Sequence, residues 1–64
     1  MCLSTVYKGT APEPENMLAE YVTSLELKDG EIHMTDITGD ELRVRGALLS
    51  VDLVENRIFI APEA

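Results

Sequence analysis

The sequence predicts an all-β domain, a small antiparallel barrel or two-layer sheet of about five strands. Three observations carry this. Apolar residues alternate with polar ones over most of the chain from Tyr21 onward, the period of a half-buried strand. Turn signals recur at short, even spacing, at Asp29-Gly30, Thr38-Gly39-Asp40 and Glu55-Asn56. The chain has only 64 residues, and no stretch carries a convincing long helix.

The first hydrophobic run, Cys2-Leu3-Ser4-Thr5-Val6-Tyr7, reads as a strand that ends at Lys8-Gly9. In the segment Thr10–Asn16, Pro12 and Pro14 remove backbone donors and bias their predecessors away from helix, so it is a loop. Met17–Val22 fits either one helical turn or entry into the next strand. From Tyr21 to Lys28 alternation puts Tyr21, Thr23, Leu25 and Leu27 on one face, and Val22 with Ser24, Glu26 and Lys28 on the other. Asp29-Gly30 supplies the positive φ angles of a primed hairpin turn. The strand returns through Glu31–Asp36 with Ile32 and Met34 inward, and Glu41–Arg45 follows with Leu42 and Val44 inward and Arg43 and Arg45 in water.

Gly46 interrupts that run, as a bulge or sharp bend does where a small sheet curls. Leu49, Val51 and Leu53 then share a face, and a last hairpin leads into Arg57–Ala61. The first strand has no hairpin partner beside it, so it is expected to pair with a late strand and hide an edge. Val22 and Phe59 are expected to face outward, as surface for a second chain.

Residues 1–64 are read as one domain. A core this small nearly cancels against ordering entropy, so a staple is expected: a metal, a second chain or unusually efficient packing. One cysteine forms no internal disulfide. With no signal peptide and no apolar stretch of spanning length, the expected compartment is a reducing cytoplasm.

Twelve acidic residues stand against five basic ones, a formal charge of -7. Binding a phosphate backbone needs clustered cations, and here they are scattered, so general nucleic-acid binding is disfavoured. Membrane-surface binding is disfavoured too, since no basic amphipathic helix is present. The acidic balance serves solubility first.

Cys2 is the residue with the most chemistry. If Met1 is removed, the new terminus carries a free amine, a deprotonatable amide and a thiol within one chelating reach. Nitrogen and sulfur donors in a flat arrangement suit square-planar nickel or copper(II), whereas zinc prefers a tetrahedron of separate side chains. Against this stands the ordinary fate of a lone cysteine, a small buried hydrophobe. His33 alternates with Glu31 and Thr35 on the face opposite Ile32 and Met34, and reads as a solvated strand histidine with no Cys or His companion at ligand spacing. A domain of this size offers little room for a substrate cleft, so no catalytic residue is assigned and the protein is expected not to be an enzyme.

Taken together, the Met-Cys-Leu opening, the Asp29-Gly30 hairpin, and Gly46–Leu53 followed by a turn into Arg57-Ile58-Phe59-Ile60 resemble the CooT family of small nickel-binding proteins. The resemblance runs nearly the whole chain. It implies a homodimeric SH3-like or Sm-like barrel in the cytoplasm. It further implies a metallochaperone role, with Ni(II) held through Cys2 where two chains meet and supplied to a nickel enzyme such as carbon monoxide dehydrogenase, or to its maturation machinery. The competing reading is a metal-independent small barrel serving protein or RNA interaction.

Overall fold

In the computed structural model, which describes residues 3–63, the chain winds through five strands. They are β1 (Ser4–Lys8), β2 (Met17–Lys28), β3 (Glu31–Asp36), β4 (Glu41–Asp52) and β5 (Arg57–Pro62), with a single 3-10 turn, Pro14–Asn16, between β1 and β2. Each strand pairs with the next, and β5 closes on β1 to complete a barrel. Four of these pairings are antiparallel. The closing one, β5 with β1, is parallel, joining Thr5 to Arg57 through Lys8 to Ile60. Parity requires this, since strands alternating up and down return to their starting direction at every odd number.

The two longest strands are shared between two layers. The first half of β2 pairs with β1, with Ser4 opposite Val22 and Tyr7 opposite Met17. Its second half pairs with β3, from Val22 opposite Asp36 to Lys28 opposite Glu31. The β4 strand divides in the same way: Glu41 to Arg45 lie along β3, and Gly46 to Asp52 along β5. The bend in β4 falls at the expected glycine. A Cβ on Gly46 would stand 2.8 Å from the Pro62 Cα and 3.0 Å from the Ala61 carbonyl carbon, closer than real side chains pack. Only glycine lets β5 approach β4 this closely.

The turns follow their local chemistry. Asp29 (φ 51°) and Gly30 (φ 78°) both take positive φ, the signature of a type I′ hairpin. Between β3 and β4, Asp36 organises the chain. Its Oδ1 accepts from the Thr38 amide (2.8 Å), the Thr38 hydroxyl (2.6 Å) and the Asp40 amide (3.1 Å). Asp52 does likewise between β4 and β5, accepting from the amides of Val54 and Glu55 at 3.0 Å each.

Ile32, Met34, Ile60, Val6 and Val22 form the buried core, with Leu18, Ala19, Leu25, Val44 and Ile58 packed against it. Ile32, Met34 and Val44 thus take the expected inward positions. Val22 corrects the sequence reading: it points into the core, 3% exposed, rather than outward. The cause is a bulge. Tyr21 adopts φ 58°, and the β2–β3 register slips between Val22 and Ser24. One extra residue reverses the phase of alternation, so Val22 and Leu25 both turn inward while Tyr21 stays out.

Leu49, Val51 and Leu53, expected to share a face, are all exposed, and the β4–β5 register slips between Leu48 and Ser50. Leu42, also expected inward, is 39% exposed at the barrel mouth. Met17–Val22, open between helix and strand from sequence, is strand throughout. Phe59 stands on the outer surface, half-buried, where its ring stacks on that of Tyr7 with centroids 5.7 Å apart. Among the described residues no helix is long and apolar enough to cross a membrane.

Candidate metal centre at the N-terminal strand

Cys2, the one metal ligand expected from sequence, lies outside the described residues. The described chain enters at Leu3, half-buried, and joins the barrel at Ser4 between β2 and β5. Thr5 fixes this entrance from the β5 side, its amide donating to the Asn56 carbonyl at 3.0 Å. Asn56 takes φ 56°, a left-handed turn position that asparagine tolerates well. Val22 fixes it from the β2 side, opposite Ser4. The β2 bulge and the β4–β5 turn therefore flank the place where the N-terminal segment meets the barrel.

His33 is part of a different surface. Its Nε2–H donates to Glu31 Oε1 at 3.1 Å, and the other oxygen of Glu31 lies 3.5 Å from Arg45 Nη1. Arg45 Nε in turn lies 3.9 Å from Glu63 Oε2. The imidazole is more enclosed than a freely solvated one, with its side chain 18% exposed. The hydrogen bond from His33 is the main reason the Glu31 carboxyl sits below its ordinary range, with Arg45 and Arg43 adding to the effect and desolvation opposing it. Arg43 and Arg45 both stand in water, as their alternation predicts. The exposed pairs among these contribute little to stability.

Among the described residues no three His, Cys, Asp or Glu side chains gather in a way that could hold a metal ion. His33 has a carboxylate and two guanidinium neighbours rather than further ligands. Asp36 is a structural acceptor that the alternation of β3 does not reveal. The signal was present in the run Asp36-Ile37-Thr38-Gly39, where an acceptor two residues before a threonine makes a self-bonded turn.

The comparisons agree with this architecture. The crystal structure of a protein assigned as CooT from Carboxydothermus hydrogenoformans superposes with a TM-score of 0.83, covering 98% of this chain and 100% of that one. At 17% identity that likeness establishes the fold. No curated protein sequence matches the chain. The sequence profile of the CO dehydrogenase accessory protein CooT matches residues 1–61, a span that begins before Cys2 and ends within β5. This chain, a five-stranded closed barrel, belongs to the CooT family of CO dehydrogenase accessory proteins.

Proposed function

We propose that this protein is a non-catalytic, homodimeric nickel carrier that holds Ni(II) through the Cys2 thiolate where two copies meet. It buffers the metal for, or delivers it to, a nickel enzyme such as CO dehydrogenase. The observation that carries the reading is the family match over residues 1–61, which includes Cys2 within an accessory family of that enzyme. The donor chemistry is compatible: a thiolate with main-chain nitrogens gives the soft, flat field that square-planar Ni(II) favours. A carrier also needs a site from which metal can leave, and an N-terminal segment ahead of β1 offers one more readily than a barrel interior filled by Ile32, Met34, Ile60 and Val6.

A Ni(II) titration of untagged protein, followed by charge-transfer absorbance and native mass, tests this with Cys2→Ser alongside. The expected result is a sulfur-to-nickel band, absent in the variant, that saturates at one ion per two chains. Because each ligating thiol must lose its proton, affinity should strengthen by up to about tenfold per pH unit for every thiolate that ligates, below the thiol's titration. Unchanged binding in Cys2→Ser would leave a metal-independent interaction barrel as the better account.

A further inference from the structure

Beside the β2 bulge the barrel surface carries a groove with an apolar floor. Leu18, Ala19, Val22, Met34 and Leu42 line it, with Tyr21 at its edge, and it encloses about 340 Å³. That is the lower end of the range for ligand sites, enough for one or two side chains. Tyr21 and Leu42 are exposed there, at 56% and 39%. Everything charged that lines the groove is acidic: Glu20 from β2, Asp36 from the end of β3, and Asp40 and Glu41 at the start of β4. Arg43 reaches Glu41 at 3.7 Å in a pair exposed at both ends, and Asp36 Oδ1 is engaged by Thr38 and Asp40, so Glu20 and Asp40 carry most of the rim's available charge.

An apolar floor with an acidic rim selects an amphipathic cation. The methylene stem of an arginine or lysine covers apolar surface while its head seeks carboxylates, and a guanidinium also stacks on an aromatic face such as that of Tyr21. The carboxylates do not converge as a metal site would require. They offer charge spread along a rim, which suits an extended organic cation. From this charge complementarity we infer that the groove docks an apolar-flanked, arginine- or lysine-bearing loop of a protein partner. A family described as accessory to an enzyme favours a protein occupant over a free small cation, and the groove's role stands whether or not Cys2 binds nickel.

The test is NMR titration of metal-free ¹⁵N-labelled protein with the capped peptide Gly-Leu-Arg-Leu-Arg-Gly. Comparators are Gly-Ser-Arg-Ser-Arg-Gly, Gly-Leu-Gln-Leu-Gln-Gly and spermine. Saturable shifts confined to residues 18–22, 34 and 36–42 are expected, with each comparator at least about fivefold weaker, since charge and apolar contact act together. The Glu20→Gln/Asp40→Asn double variant, whose dispersed spectrum reports retained folding, should weaken the first peptide about fivefold or more and reduce its salt dependence. Cys2→Ser should bind it as the parent does. Equal binding of the serine peptide or of spermine, shifts scattered over other acidic surface, or no saturable binding would overturn the inference.

Discussion

Asp36 does more for this fold than its exposed position suggests. One carboxylate oxygen gathers three donors, and the hydrogen bond from the Thr38 hydroxyl is the chief reason its carboxyl stays below the ordinary value of 3.8. Glu31 is held below 4.5 in the same sense by His33. A carboxyl whose folded pKa is lowered leaves the unfolded chain with the greater proton affinity. Its contribution to stability is therefore complete above the ordinary value and is lost as pH falls through the folded one. The thermal midpoint should fall in acid over roughly pH 5 to pH 2. Asp36→Asn should melt lower than the parent at neutral pH and show a shallower acid decline. Melting curves by circular dichroism across that range decide it, and parallel declines would show that Asp36 carries no such linkage. Tyr21 marks the other extreme at this scale. A bulky side chain at φ 58° is foretold by nothing in the sequence, because the bulge that puts it there arises from the register of β1 and β3 rather than from local propensity.

At the scale of elements, the bend of β4 depends on a missing side chain. Gly46 donates its amide to the Gly30 carbonyl at 3.0 Å while β5 presses against its α-carbon. In Gly46→Ala the new methyl meets backbone rather than a side chain that can swing away. The expected loss is about 1–3 kcal/mol, the usual cost of overpacking. Urea denaturation measures it, and a variant as stable as the parent would mean that β4 and β5 separate freely. Elements whose signals are local were legible in advance: the Asp29-Gly30 hairpin, the inward Ile32 and Met34, the glycine bend and the loop through Pro12 and Pro14. Elements decided across strands were not. The inward turn of Val22 follows from a register slip that no single strand encodes. The N-terminal donor set rests on the atoms Cys2 carries, and Cys2 lies outside the described residues.

At the scale of the whole molecule, the closed ring leaves no unpaired sheet edge between its strands, which matters for a chain with so small a core. Its apolar surface is concentrated instead on the later part of β4 and the turn after it, where Leu49, Val51, Leu53 and Val54 are exposed. Closure has a further, mechanical consequence. Because β1 and β5 lie side by side and run the same way, the chain enters the barrel at one end and leaves it at the other. A force applied between the N-terminal end of β1 and the C-terminal end of β5 drags these strands past each other along their length. The hydrogen bonds from Thr5–Arg57 to Lys8–Ile60 are then loaded together rather than one after another. Pulled by its two ends, the barrel should resist as a lap joint does, yielding at a higher force than when pulled through attachment points on β4 and β5, which would peel an antiparallel hairpin open. Optical-tweezer or force-microscope extension with the two attachment geometries compares them directly; equal rupture forces would mean that the β1–β5 seam gives way before it bears load.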